Sequence, residues 1–122
     1  VQRSGLFGAI NREAEYVVPP VYEILEWESR TNRFLFKQGG RWGLLDRDGK
    51  MVLPPTYAWI DLFSCGRSLV QREDNQLFGY IDANGEEVIP AYYQDAHSFE
   101  EGRATVTLRG KRFIIDENGE FI

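Results

Sequence analysis

One frame returns every 35 or 36 residues along this chain, and it constrains the fold more than any single residue does. RWGLLDRDGKMVLPPTY at 41–57 is followed by LFGYIDANGEEVIPAYY at 77–93, and the glycines behind the leading aromatic residues, Gly43 and Gly79, stand 36 apart. PPVY at 19–22 recurs as PPTY at 54–57 and as PAYY at 90–93, with tyrosines spaced by 57 − 22 = 35 and 93 − 57 = 36. The aromatic-plus-small pair recurs as Phe7-Gly8, Trp42-Gly43, Phe78-Gly79 and, in degraded form, Phe113-Ile114. FSCGRSLV from Phe63 matches FEEGRATV from Phe99, and LLDRDG, YIDANG and IIDENG share the frame. Tandem copies of one small unit follow, each burying its faces against its neighbours.

Within a unit the apolar pattern has period two, which belongs to strands. In RATVTL, Ala104, Val106 and Leu108 lie on one face and Arg103, Thr105 and Thr107 on the other. A second strand carries the aromatic-Gly pair, as in LFGYID. A short third strand, MVLP, EVIP or the terminal EFI, is expected to stop at proline, which has no N–H for the ladder. DRDG, DANG and DENG join the second strand to the third with an Asp that bonds its own backbone and a Gly that accepts positive φ. The connectors VYEILEWESR, TYAWIDLFSC and YYQDAHSFEE fit either a short helical turn or an extended run. Tyr57 with Phe63, and Tyr93 with Phe99, are expected to pin them to the sheet, and Trp27 takes the phenylalanine place in the first connector after a one-residue shift.

The expected fold is all-β: a tandem array of about three and a half three-stranded antiparallel meander units. Their expected bounds are 1–29, 30–65, 66–101 and 102–122 within one repeat domain, 1–122. So few units favour an open superhelical stack over a closed propeller. A glycine inside a strand permits close approach of a ring or backbone, so Phe7, Trp42, Phe78 and Phe113 are expected to stack as one continuous core, together with Tyr22, Tyr57, Tyr93, Phe63 and Phe99. VQRSGLFG matches VQREDNQLFG at 70–79 with a shorter turn, and the first residue is Val1 rather than Met, which fits a segment of a longer chain.

Composition narrows the partners. At 122 residues the chain is long enough to bury about two thirds of its unfolded surface. With 14 Lys and Arg against 19 Asp and Glu, its net charge of −5 repels a phosphate backbone and attracts a basic protein surface. Cys65 is the single cysteine, so neither an intramolecular disulfide nor a cysteine-rich zinc site is available. Neither a long apolar run nor a charged-then-apolar leader is visible, so no membrane partner is expected and a cytoplasmic location is.

WGLLDRDGKMVLPPTY and FGYIDANGEEVIPAYY, each followed by a connector ending in F-x-x-G-R-[SA]-x-V, resemble the bacterial WG-containing repeat. The resemblance covers nearly the whole chain. It departs from the pattern at Ala14 in the place of the turn glycine, at WESRTNRFLF, which lacks the Gly-Arg-Ala element, and at Ile114 in the place of the strand glycine. It implies a noncatalytic all-β interaction module without a cofactor.

The residues themselves offer little chemistry. Asp46, Asp82 and Asp116 align across units, each three residues before a glycine, and read as turn caps; a calcium loop needs more oxygen ligands at tighter spacing. His97 is the sole histidine, and pairing it with Cys65 as base and nucleophile would give a protease-like dyad, but the two lie in equivalent connectors of adjacent units, with Cys65 at the place of Glu101, which reads as chance placement. No phosphate-binding glycine motif occurs. Glu86 with Glu87, and Glu100 with Glu101, are adjacent and on a strand point to opposite faces. No catalytic residue, cofactor or metal ligand is therefore assigned. Trp59 takes the place of Ile24 and Asp95 in its sister connectors and is a candidate interface anchor. Glu23, Glu26, Asp61, Asp95, Glu100 and Glu101, with Glu28, gather in the connectors as a candidate acidic surface. The expected role is a noncatalytic protein-binding module, most concretely an acidic, immunity-protein-like partner that neutralises a basic bacterial toxin or nuclease. A glycan-binding domain and a structural spacer in a larger protein are the alternatives.

Overall fold

The computed structural model describes the backbone of residues 2 and 3, and residues 5–10 and 12–122. It divides into two compact units, Val1–Thr56 and Tyr57–Ile122. The first begins with a sheet of β1 (Gln2–Arg3), β2 (Leu6–Ile10) and β3 (Tyr16–Tyr22). A second sheet follows in the order β4 (Ile24–Glu28), β5 (Arg33–Gln38), β6 (Arg41–Asp46) and β7 (Met51–Tyr57), whose last residue opens the second unit. The second unit holds β8 (Trp59–Ile60), β9 (Ser68–Gln71), β10 (Phe78–Ile81) and β11 (Glu87–Tyr93) in one sheet. Its other sheet is β12 (Asp95–Ala96), β13 (Arg103–Leu108) and β14 (Lys111–Asp116). The chain is thus all-β, with tandem antiparallel meanders, and each sheet is open at two edge strands. The connectors run extended: β4, β8 and β12 each lie along the edge of the sheet that follows, so a full repeat carries four strands.

The third strands are longer than the sequence suggests, and proline does not stop them. β3, β7 and β11 each run for seven residues through Pro19-Pro20, Pro54-Pro55 and Pro90. The reason lies opposite, at the strand glycine. Between Phe7↔Tyr22 and Ala9↔Val18, Gly8 alone faces the three residues Pro19, Pro20 and Val21. Between Phe78↔Tyr93 and Tyr80↔Ile89, Gly79 likewise faces Pro90, Ala91 and Tyr92. A bulge leaves residues outside the ladder, so a proline there forfeits no hydrogen bond. The bulged backbone folds down onto the glycine. A Cβ on Gly8 would lie 2.5 Å from the Val18 carbonyl oxygen, and one on Gly79 would lie 2.7 Å from both Ala91 N and Ile89 O. At Gly43 it would strike the Leu53 carbonyl and the Phe36 ring.

Cross-strand pairing also corrects the frame of the last copy. Gly43 pairs with Phe36 and Gly79 with Val70, and the equivalent of these in β13, Val106, pairs with Phe113. Phe113 therefore stands in the glycine place and Arg112 in the aromatic place; the pair Phe113-Ile114 is out of frame by one. On the side away from β13, β14 is joined by the bridge Ile115↔Phe121, and the Phe113 ring lies 4.8 Å from that of Phe121.

The aromatic core is shifted in the same way. Trp42, Tyr22, Tyr57, Tyr93, Phe63 and Phe99 are buried as expected, whereas Phe7, Phe78 and Phe113 are only half-buried. The two residues that follow Gly43 and Gly79, Leu44-Leu45 and Tyr80-Ile81, point to opposite faces and are fully buried on both. Ring contacts run between Tyr22 and Phe36 at 4.7 Å and between Tyr80 and Phe99 at 4.8 Å. Trp27 does not take the phenylalanine place: it stays 47% exposed against its cross-strand partner Phe34. β4 remains in regular register to its end, so the next residue, Glu28, turns inward, and its Oε1 accepts the Arg30 N–H at 2.8 Å.

Consecutive sheets within a unit pack face to back. In the first unit Val18 and Tyr22 meet Phe36 and Leu45; in the second Leu69, Tyr80, Ile89 and Tyr93 meet Ala96, Phe99, Ala104, Val106 and Ile115. The Asp-x-x-Gly turns complete the join. Each Asp takes two backbone N–H groups on Oδ1: Asp46 from Asp48 and Lys50, Asp82 from Asn84 and Glu86, Asp116 from Asn118 and Glu120, all at 2.9–3.0 Å. The glycines Gly49 and Gly119 sit at φ +83 and +82 against the proline strand of the preceding sheet, at Val17-Val18 and at Ile89. Tyr80, fully buried, donates its hydroxyl proton to the His97 carbonyl at 2.6 Å.

Two outcomes are expected from this packing. Trp42→Ala is expected to lower stability by about 3–5 kcal/mol through the cavity left behind, and Gly79→Ala by about 1–3 kcal/mol through overpacking against β11, both read from denaturant midpoints. Burial raises the pKa of Tyr22, Tyr57, Tyr80 and Tyr93 above the ordinary 10.0. The folded state thus favours the neutral phenols; their contribution is complete below pH 10 and is lost as pH rises further, because the unfolded chain releases those protons first. Denaturant titrations over a pH series are expected to show stability falling above pH 10, and falling less steeply in Tyr80→Phe, which itself costs about 1 kcal/mol at neutral pH.

Candidate functional site

Directly paired residues on neighbouring strands share a face, so the repeat places the same three positions in one row of each sheet. In β4–β5–β6 the row is Ile24, Lys37 and Trp42. In β8–β9–β10 it is Trp59, Gln71 and Phe78, and in β12–β13–β14 it is Asp95, Thr107 and Arg112. The scaffold holds the row constant while its chemistry changes from copy to copy.

Trp59 is 43% exposed at the start of its row, as a surface anchor requires. Asp95, its counterpart, is exposed, and its Oδ1 accepts the Ala96 N–H at 3.0 Å. Asp61 is spent inside the unit: Oδ1 accepts the Leu62 N–H at 2.8 Å and Oδ2 accepts the Ser98 hydroxyl at 2.9 Å, tying the second connector to the third. Ser64 strengthens the same join by donating its hydroxyl to the Phe99 carbonyl at 2.5 Å. Glu101 is exposed at φ +51, beside Gly102 at φ +78, in a tight turn of the type two left-handed residues build. Glu23 and Glu26 belong to the first unit and are exposed, with Glu23 Oε1 accepting the Gly40 N–H at 3.3 Å.

Asp95 and Glu100 are the two acidic candidates that the fold brings together. With His97, Thr105, Thr107 and Arg112 they line an open depression of about 550 Å³ on the last sheet. Asp95, Thr105, Thr107 and Arg112 share one face of the sheet; Ala96, Ala104, Val106 and Ile115 on the reverse are core. In the preceding sheet the same face carries Trp59, Leu69, Gln71, Phe78 and Tyr80, and Leu69 and Tyr80 are buried against the neighbouring layer. Arg112, Thr105 and Thr107 escape a reading of motifs alone. The signal that finds Arg112 is the IIDENG turn, which fixes the frame and puts arginine where Trp42 and Phe78 stand.

Cys65 and His97 each have a place in the connectors of the second unit. Cys65 occupies the turn place of Glu101, at φ +55, and its Sγ accepts the Gly102 N–H at 3.3 Å. His97 lines the depression, and its backbone N–H bonds the Thr105 carbonyl at 3.0 Å. Among the described residues, no group of three His, Cys, Asp or Glu side chains is placed to hold a metal ion.

Comparison with known proteins agrees with the pairing. The family model of the WG containing repeat matches residues 7–42, 42–75 and 78–111. No curated protein and no solved structure matches the chain. Each match opens on the aromatic residue that precedes a strand glycine, at Phe7, Trp42 or Phe78, and the last ends one residue before Arg112, where that aromatic gives way to arginine. By three tandem matches that together span most of its length, this chain belongs to the WG-repeat family.

Proposed function

We propose that the chain is a noncatalytic protein-interaction module, and that its partner is a basic protein which it occludes in the manner of an immunity protein neutralising a toxin or nuclease. The observation that carries this reading is the surface of the second unit: an exposed Trp59 on β8, and Asp95, Glu100 and Glu101 exposed on the connector that follows. The net charge of −5 supports it by drawing a cationic surface toward the module over distances comparable to the Debye length. In such an interface the work is divided: the ring supplies affinity on contact, and the carboxylates supply rate and orientation.

The experiment is capture of the partner from the native host at low salt, followed by binding kinetics with variants. Glu100→Lys together with Glu101→Lys is expected to slow association about tenfold at low ionic strength and to flatten its salt dependence. Trp59→Ala is expected to weaken binding by about 2 kcal/mol, mainly through faster dissociation. Unchanged association and unchanged salt dependence in the charge-reversed variant would sink the electrostatic reading, and a fully active Trp59→Ala variant would remove the anchor.

A further inference from the structure

We infer that Asn84 and Asn118 are self-modification sites, held unreactive by the aspartate caps of their turns and converted to aspartate and isoaspartate when a turn opens. Asparagine before glycine is the pair most prone to this chemistry, because a residue without a side chain leaves its nitrogen free to reach the asparagine carboxamide. Of the five asparagines, Asn11, Asn32, Asn75, Asn84 and Asn118, only the last two precede glycine, and both are exposed. Each stands third in a turn closed by a hydrogen bond, from the Gly85 N–H to the Asp82 carbonyl at 3.0 Å and from the Gly119 N–H to the Asp116 carbonyl at 2.9 Å. The reaction begins when that same glycine nitrogen, having lost its proton to a base in solvent, attacks the asparagine Cγ. The N–Cγ bond forms, the Cγ–Nδ2 bond breaks and ammonia leaves, closing a succinimide ring. Water then opens the ring at either carbonyl. Cleavage of N–Cγ restores the main chain with aspartate, and cleavage at the former main-chain carbonyl leaves the chain running through the side chain as isoaspartate. The net change is amide and water to carboxylic acid and ammonia, with nothing oxidised or reduced.

The closed turn withholds that attack. The N–H that must be given up is held by the aspartate carbonyl. Ala83, Asn84, Glu117 and Asn118 all lack positive φ, which makes these type I turns, with ψ of about 0° at the asparagine. In that conformation the glycine nitrogen is turned away from the side chain, and the asparagine Cα–C bond must rotate before it reaches Cγ. The caps resist this rotation: Asp82 Oδ1 accepts the Asn84 and Glu86 N–H groups at 2.9 and 3.0 Å, and Asp116 Oδ1 accepts those of Asn118 and Glu120 at 2.9 Å. Reaction therefore runs through local opening of the turn, whose population the caps set. The β6–β7 turn shows what the ordinary product does. There the residue is already an acid, Asp48 before Gly49, and the turn is the same, with the Gly49 N–H on the Asp46 carbonyl at 3.0 Å and Asp46 Oδ1 accepting the Asp48 and Lys50 N–H groups at 2.9 Å. Aspartate is thus accommodated, with one added negative charge. Isoaspartate puts an extra carbon into the main chain just before glycine, and Gly119 lies so close to β11 that an added Cβ would be 3.3 Å from the Ile89 side chain. The β-linked form at residue 118 therefore separates the turn from β11.

The test incubates the whole chain in mildly alkaline buffer and follows both sites by peptide mass mapping, which reads the change from amide to acid, with electron-transfer fragmentation to tell isoaspartate from aspartate. In the folded chain both asparagines are expected to react at least about tenfold more slowly than in the same chain in denaturant. Asp82→Ala is expected to speed reaction at Asn84 about tenfold and to leave Asn118 at its parental rate, and Asp116→Ala to do the converse. Asp82→Asn keeps an acceptor oxygen and is expected to restore most of the protection at Asn84. Chains enriched in isoaspartate at residue 118 are expected to unfold at lower denaturant than unmodified ones. Folded-state rates equal to those in denaturant, or alanine variants that leave the rate at their own site unchanged, would overturn the inference. Equal acceleration at both sites in either variant would overturn it as well, since global unfolding would then be the route. An unchanged midpoint in the isoaspartate-bearing chain would overturn the separation of the turn from β11. The result does not depend on the proposed partner, because none enters the assay.

Discussion

The fold turns on a single steric fact: opposite each strand glycine, the neighbouring strand bulges so far inward that a methyl group has no room. Gly8 and Gly79 are overlaid by backbone atoms of β3 and β11, and Gly43 by Leu53 and the Phe36 ring. The prolines sit in the bulge, where their missing N–H is not needed and their fixed φ helps hold the bend. Glycine and proline are thus two halves of one device placed on adjacent strands, which is why they recur in one frame. The bulge also lets each proline strand run for seven residues and deliver its closing tyrosine, Tyr22, Tyr57 or Tyr93, into the core.

From that device the layering follows. A strand bent over its neighbour offers one face to the next sheet, and the aspartate-glycine turn of that next sheet comes to rest on it, at Val17-Val18 in one unit and at Ile89 in the other. The turn aspartates are consumed by this arrangement, each accepting two backbone N–H groups, so they are structural acids. Asp61 is likewise consumed, by Leu62 and Ser98. What remains for recognition is whatever side chains occupy positions that the bulge, the turns and the inter-sheet seam do not claim.

Those positions concentrate on the third connector and the last sheet. In the last sheet arginine stands in the aromatic place and phenylalanine in the glycine place, and Asp95, Thr105, Thr107 and Arg112 stand where Trp59, Leu69, Gln71 and Phe78 stand in the sheet before it, with Ile114 in the place of Tyr80. The Phe113 ring in the glycine place lies 4.8 Å from that of Phe121.

The sequence by itself determined the periodicity, the all-β class, the strand alternation and the aspartate caps, because all of these are local: period two, turn chemistry and the spacing of identical residues are written along the chain. Buried Trp42, Tyr22, Tyr57, Tyr93, Phe63 and Phe99 were legible for the same reason. Tertiary structure decided everything that depends on which residue faces which. A run of seven residues with proline in its middle reads as a strand that ends, until the bulge opposite glycine is seen. Phe113 reads as an aromatic-place residue until its pairing with Val106 puts it in the glycine place. Trp27 reads as core until the unbroken register of β4 turns Glu28 inward in its place. The candidate site was half legible: Asp95 and Glu100 stood out as charges, but Arg112, Thr105 and Thr107 joined them only when three strands lay side by side, since cross-strand neighbours carry no fixed spacing in the sequence.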